Sequence, residues 1–351
     1  MAGSNEPIVA SVIPVLNEAE HIISCLESIA AQTYDPSKHM IIVLDGGSVD
    51  NTKQLIEDYI SSAKGNRPEI ILVDNPGKHV AQARNIALEM LPETVEFTLE
   101  IIGHSIIPKH HIQTLVDCWK EIEQESTKEI ASLGCLVKPK LGNHGIVESW
   151  VESVLSSPIG SGDGQFQNFT GTNQTTTPAF CLHSVSALRK VGGWDESFIT
   201  SQDSDLSMRL LEHGFSIWRT DSTHVNMVKR TNIVSWAKMG FRYGFWRTKT
   251  IMKHPKRAKT REFLPWIGLL ATLFLFESNV VMWYYLPLIY AITVVLESIR
   301  QSFKTQNFHL IIGFPVCLII LHTTFSLGLL IGIFGRKRSY NDRQSKTINR
   351  Q

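Results

Sequence analysis

Ile8–Ser48, IVASVIPVLNEAEHIISCLESIAAQTYDPSKHMIIVLDGGS, is the stretch whose reading decides the fold. Ile8–Pro14 is an apolar run that stops at a proline, as a buried parallel strand does. Asn17-Glu18 opens a helix with Ile22, Ile23, Leu26 and Ile29 at helical spacing. Met40–Leu44 is a second strand, closed by Asp45-Gly46-Gly47-Ser48. The alternation continues outward. Asp50 or Thr52 caps a helix to about Ser62, Glu69–Val73 is a third strand and Val80–Met90 a helix. Phe97–Ile102 is a fourth strand, and Pro108 precedes a helix through Ile122. This pattern predicts an α/β domain with a mainly parallel central sheet and ligand-binding loops at the strand C-termini.

From Ala131 the order changes. Ser132–Val137 is a strand, and polar Gly160–Thr177 predicts a mobile loop over a site. Ala179–His183 is a strand, a helix starts at Val185, another covers Asp203–His213, and Ser216–Arg219 is the last strand.

Composition bounds the function. With 34 basic and 33 acidic residues, nothing suggests wholesale nucleic-acid binding. The five cysteines are scattered, with no CxxC, which fits a reducing cytosol and argues against a zinc site or disulfide framework. No signal-peptide pattern opens the chain, so the soluble head is expected on the side where it is made, and the Asn168 and Asn173 glycosylation matches are read as chance.

Near its C-terminus the chain changes solvent. Leu310–Phe334 is 25 residues without Asp, Glu, Lys or Arg, Val280–Leu296 adds 17, and Leu264–Phe276 adds 13. Arg247–Arg261 holds seven basic residues and no acid, and the tail carries six, Arg336 to Arg350, against Asp342. Such flanks are expected on the cytosolic face, against anionic lipid. Keeping both on that face needs an even number of crossings. The expectation is an antiparallel pair of spans, about Val280–Ile299 and Leu310–Phe334. Leu264–Phe276, covering only roughly 20 Å, then lies along the interface; the alternative is that Leu264–Val281 tilts through, with Glu277 buried against protein, giving three spans and an external tail.

The loops after the first four strands carry Asn17/Glu18, Asp45–Ser48, Asn75/Gly77 and Gly103/His104/Ser105. Gathered on one edge, with glycines that admit close approach, they make a nucleotide-site pattern. Neither GxGxxG nor GxxxxGK[ST] is present.

Five segments carry a resemblance: SVIPVLNEAEHIISCLESIAAQTY, VLDGGSVDNT, GKHVAQARNIALE, GGWDESFITSQDSDLSMRLLEHG and FRYGFWR. Across residues 8–247 the chain resembles glycosyltransferase family 2, within it the succinoglycan-type exopolysaccharide and archaeal surface-glycan subgroup. The resemblance implies a GT-A fold with a catalytic domain at 1–247, divided into a nucleotide-sugar half (8–125) and an acceptor half (126–247). A basic juxtamembrane linker (248–262), membrane helices (263–335) and a basic tail (336–351) follow.

It also implies roles. The Pro14–Glu18 loop, including Asn17, wraps the nucleotide, Asp45 contacts the base, and Gly47, Gly103 and Arg84 lie near the donor. Relatives carry Asp-x-Asp or Asp-x-His after the fourth strand to hold Mg²⁺ or Mn²⁺. Here Ile102 replaces the first acid and His104 fits the second position, as a metal ligand or a structural histidine. Glu100, two residues upstream, is a weak substitute ligand. Asp203 matches the general base, with helix capping as its plain alternative, Gln202 precedes it, and Asp205 is the nearest decoy. Arg230, Arg242 and Trp246 match acceptor- or phosphate-side positions, while interfacial anchoring is equally open for Trp246.

The implied activity is inverting transfer of a sugar from a nucleotide donor to a lipid-linked, polyprenyl or dolichyl, saccharide. The enzyme is expected as an integral membrane protein with its catalytic domain in the cytosol. A polyprenyl-phosphate sugar synthase and a catalytically inactive assembly partner are the alternatives. Ile102 supports the last, whereas Asp45, Arg84 and Asp203 oppose it.

Overall fold

The computed structural model describes residues 6–62, 65–142, 144–160, 162 and 164–335, so the basic tail Arg336–Arg350 lies outside the described residues. The first half alternates as the apolar periodicity predicts. It runs β1 (Ile8–Val15), α1 (Ile22–Ala30), β2 (His39–Asp45), α2 (Thr52–Ser61), β3 (Glu69–Asp74), α3 (Val80–Met90) and β4 (Val95–Glu100). Then come β5 (Ser105–Ile106), α4 (His111–Glu125), β6 (Ile130–Pro139), α5 (Ile146–Ser156), β7 (Asn173–Gln174) and β8 (Leu182–Ser184). The described residues continue with α6 (Val185–Lys190), α7 (Gln202–Glu212), β9 (Ser216–Met227), α8 (Ile233–Lys253), α9 (Leu264–Glu277), α10 (Tyr285–Thr305) and α11 (Leu310–Phe334).

One sheet runs β3-β2-β1-β4-β8-β6-β9-β5, with β7 also on β9. Its long ladders are parallel: β1 with β2 and β4, β2 with β3, and β6 with β9. The short strands β5, β7 and β8 pair antiparallel. The apolar side chains of β1 alternate between two cores. Val9 and Ile13 pack with α1 and α4, and Ala10 and Val12 with α3 and α6. Pro14, which has no N–H to give, is tolerated in this central strand because pairing with β4 stops at Val12↔Glu100.

Three elements differ from expectation. α1 begins at Ile22, not Asn17, because Asn17 turns into the left-handed region (φ 56) and bonds across to the β2 loop. β4 ends at Glu100, so strand alternation does not place Glu100 and Ile102 on one face. β9 continues to Met227 instead of stopping at Arg219. Its register jumps from Cys135↔Thr220 to Leu136↔His224, and the bulged polar residues between hide the strand. The segment read as a mobile loop contains β7, paired to β9.

The chain divides into two compact units. Among the described residues, one comprises those up to Leu141 with Asn168–Val228, the other Gly142–Gln167 with residues 229–335. An expected boundary at 247 falls inside α8, which is continuous to Lys253. In the second unit α5, α8, α10 and α11 share a core that includes Val151, Trp236, Val294, Phe314 and Leu318. Trp236 is fully buried and donates its indole N–H to the Cys317 carbonyl at 2.9 Å. α8 and α11 meet backbone to backbone: a Cβ on Gly244 would lie 2.0 Å from the Phe325 carbonyl oxygen, and one on Gly328 2.2 Å from that of Phe241. Small residues at such crossings let helices approach closely. α10, extended back to Val281, and α11 are the two described helices long and apolar enough to cross a membrane.

Candidate active site

The loops after β1 and β2 are knitted together. The Asn17 amide donates to Ser48 Oγ at 2.9 Å, and the Val49 amide to Asn17 Oδ1 at 2.9 Å. The Glu18 amide donates to Thr52 Oγ1 at 2.8 Å. Asp45, 3% exposed, accepts from the Gly47 amide at 3.1 Å and from Ser48 Oγ at 2.5 Å. Its carboxylate therefore holds the turn, and the Gly47 N–H points to it. The third loop joins through the Asn75 amide, which donates to the Asp45 carbonyl at 2.7 Å. Asn75 Oδ1 is buried without a hydrogen bond.

After β4, the imidazole of His104 meets Glu18, with Nδ1 to Oε1 at 2.8 Å. Gly103 makes this possible, because a Cβ there would lie 2.9 Å from Glu18 Cγ and push that chain away. With the carboxylate accepting from Nδ1–H, Nε2 keeps the lone pair that a metal requires. The pair offers one nitrogen and one carboxylate, and Ile102 adds nothing. Glu100 is engaged elsewhere.

That engagement is the centre of the site. Arg84 of α3, 5% exposed, places Nη1 3.0 Å from Glu100 Oε1 and 2.5 Å from Asp203 Oδ1. His183 of β8 lies 3.1 Å from Glu100, and its Nδ1 is 2.6 Å from Ser132 Oγ. The Arg84 guanidinium sits over the Trp194 ring at 5.5 Å. Asn85 grips the Trp194 backbone twice, donating to its carbonyl and accepting from its amide, both at 2.8 Å. The Ala83-Arg84-Asn85 segment thus docks Gly193-Trp194 and delivers the arginine to α7.

Asp203 leaves 41% of its side chain exposed, whereas Arg84 and Glu100 are sealed. The α7 N-cap is Ser201, in a left-handed conformation, so Asp203 is not the cap. Asp205 is fully buried and bound to Arg209 at 2.8 Å, which removes it as a candidate base. Gln202 is 8% exposed, with its Oε1 lacking a hydrogen bond.

Burial opposes charge on Glu100, but Arg84 and His183 outweigh it and hold the carboxyl below the usual range. At Asp203 the balance tips the other way. Protein packed around the carboxyl raises its pKa, with Glu100 adding repulsion, against the pull of Arg84.

The remaining expected residues lie in the second unit. Arg230 and Arg242 are exposed, Arg242 resting 5.8 Å from the Tyr243 ring. Trp246 is 4% exposed, edge-on to Phe245 at 5.7 Å, so little ring surface is left for stacking on a sugar. Sequence reasoning missed His183 and the partnership of Glu100 with Arg84. The signal was present: a charged residue and a histidine inside otherwise apolar, sheet-buried runs (VEFTLE and CLHS).

Residues 11–121 match the family described as glycosyl transferase family 2. The chain is a glycosyltransferase, similar over this stretch to family 2. The succinoglycan biosynthesis protein ExoA of Rhizobium meliloti is 26% identical over 254 residues, covering 72% of this chain and 73% of that protein. A dolichyl N-acetyl-α-D-glucosaminyl phosphate diacetamido-dideoxy-glucuronosyltransferase of Methanococcus voltae is 22% identical, over 93% of this chain and 97% of that one. The glycosyltransferase AglE of Haloferax volcanii is 40% identical over 86 residues, covering 24% of this chain and 27% of that one. Among solved structures, the mannosyltransferase PcManGT of Pyrobaculum calidifontis, in complex with GDP-Man and Mn²⁺, superposes with a TM-score of 0.64. At 14% identity over 94% of this chain and 88% of that one, it establishes the GT-A fold. In this chain Arg84 and Asp203 are paired at 2.5 Å, and Ile102 stands two residues before His104.

Proposed function

We propose that this glycosyltransferase moves a sugar from a nucleotide donor onto a hydroxyl of a lipid-linked saccharide, with inversion, at the cytosolic face of a membrane. The observation that carries this reading is Asp203, a carboxylate open to solvent on one side and tied to the sealed Arg84–Glu100 pair on the other. A carboxylate so placed accepts the acceptor hydroxyl's proton as the oxygen attacks the anomeric carbon. Arg84 fixes its direction, since a guanidinium held by two acids cannot swing away. Gln202 Oε1 offers an acceptor for a neighbouring sugar hydroxyl.

Pro14, Asn17, Glu18, Asp45, Gly47 and Gly103 form the donor-side wall. Asp45 acts there through its turn, which sets the shape of the nucleotide loop. A divalent cation fits at His104 and Glu18, which would hold it while the donor's own oxygens complete its shell, and it would supply positive charge for the departing diphosphate. Imidazole favours Mn²⁺ over Mg²⁺. The relatives named for succinoglycan and dolichyl-linked glycan assembly, with the apolar C-terminal helices, support a lipid-linked acceptor and a membrane-attached enzyme.

The test is nucleotide release from a panel of UDP- and GDP-sugars, with membrane lipid extract, with and without Mn²⁺. Release that requires the extract supports transfer to a lipid-linked acceptor. Release equal without extract, or none with any donor, would refute it.

A further inference from the structure

We infer that the apolar helices lie in the plane of the membrane interface and do not cross the bilayer. The inference rests on the membrane attachment proposed above and concerns how that attachment is made. Taken alone, α11 has the length and composition of a span. Its neighbour makes spanning untenable.

α8 runs parallel to α11 in close contact. Trp236 bonds the Cys317 carbonyl, Gly240 packs on Leu321 and Thr324, Thr248 Oγ1 donates to the Leu329 carbonyl at 2.8 Å, and Lys249 reaches the Gly335 carbonyl. Any depth assigned to α11 is therefore also the depth of α8. The midpoint of Leu310–Phe334 is His322, level with Gly240. Lys238 and Arg242 stand two residues either side of Gly240, about 3 Å along the axis, and both are exposed. If α11 spanned, these two cations would face lipid near the middle of the bilayer. The nearest headgroups would be ~15 Å away, further than either stem can snorkel. α8 itself carries five basic residues (Lys238, Arg242, Arg247, Lys249 and Lys253) and no acid; Arg247 is paired outside the helix with Glu262 at 3.4 Å, but it is Lys238 and Arg242 that sit at mid-depth.

Lying flat removes the conflict. α9 has no buried side chain, and Leu270, Phe274, Ile289, Ile312 and Phe334 are each at least 58% exposed, an apolar surface far beyond what water tolerates singly. Exposed Lys253 and Lys256 supply cations for anionic headgroups. A helical foot with one polar and one apolar side embeds to the depth of the acyl boundary, with α8 on its wet side. The occupant of this surface is one anionic leaflet.

The two arrangements differ at the turn between α10 and α11. Two spans put Lys304 and Thr305 on the far side of the membrane from the head, whereas an in-plane foot keeps them on the same side. All five native cysteines are buried. The full chain would carry one added cysteine, K304C or T305C, with K120C on exposed Lys120 of α4 as the marker of the head. A membrane-impermeant maleimide would then be applied to right-side-out and inside-out vesicles, and again after detergent. We expect K304C and T305C to label in the same vesicle orientation as K120C. Labelling in the opposite orientation would overturn the inference, as would no labelling from either face until detergent is added. Recovery of the protein in the soluble fraction would overturn it too, by removing the attachment, and labelling is read without reference to transferase activity.

Discussion

Arg84 Nη1 lies 2.5 Å from Asp203 Oδ1 across 119 residues of sequence, and the same nitrogen is 3.0 Å from Glu100. The guanidinium is shared between an acid that has no access to water and one that does. Its pull on Asp203 is thereby diluted, which leaves the exposed carboxylate more basic than a simple Arg–Asp pair would.

Glu100→Gln should reveal that sharing. Removing the Glu100 charge takes away repulsion on Asp203 and frees Arg84 to bind it more tightly, so both effects lower the Asp203 pKa. With Asp203 as the proposed base, transfer requires it deprotonated, and wild-type activity should rise with pH through a pKa above the usual aspartate range. In the variant that acid limb should move to lower pH, while the plateau rate falls several-fold because a weaker base remains. A pH profile of kcat/KM reads both. An unmoved limb with only lowered stability would make Glu100 merely structural. Glu100 titrates below its usual range when folded, so its contribution to stability is present above the unfolded pKa and fades as pH drops through the folded one.

At the donor side, His104→Ala should abolish most of the response to Mn²⁺, and Ile102→Asp should raise activity with Mg²⁺ by restoring a hard oxygen ligand. Activity titrated against each cation after EDTA treatment measures this. Strong Mg²⁺ activation that survives His104→Ala would show the metal is held elsewhere.

In the second unit, Gly244→Val should lower the melting temperature in detergent, because its Cβ would press within 2.0 Å of the Phe325 carbonyl and force α8 off α11. The cost expected for such overpacking is ~1–3 kcal/mol. Donor binding by the remaining folded protein should be unchanged. An unaltered melting temperature would mean the two helices are not packed at this crossing.

Much of this was legible in the sequence because apolar period and loop chemistry agree. The periods of Ile8–Val15 and Val80–Met90 and the loop residues after each strand are local signals, and the alternation of strands with helices follows from them. What escaped was set at a distance. Glu100 seemed a spare metal ligand because its partners Arg84 and His183 arrive from α3 and β8, far along the chain. β9 looked short because a bulge breaks its alternation after Thr220. Hydropathy finds α11 long and apolar enough to span, as the structure does, but it sees one helix at a time, and the charges of α8 that bear on its depth come from elsewhere in the chain.

The central claim is that Asp203 takes the proton from the acceptor hydroxyl, and Asp203→Asn tests it most directly. The side chain keeps its size and a hydrogen-bonding oxygen for Arg84, but it loses its basicity. Donor affinity should be measured by calorimetry, and turnover with the donor and lipid extract identified by the release panel. The account predicts wild-type-like donor binding with turnover reduced at least ~100-fold, the usual scale for losing a general base. Turnover near that of the wild type would contradict it and point instead to a lipid phosphate as the acceptor, which needs no base.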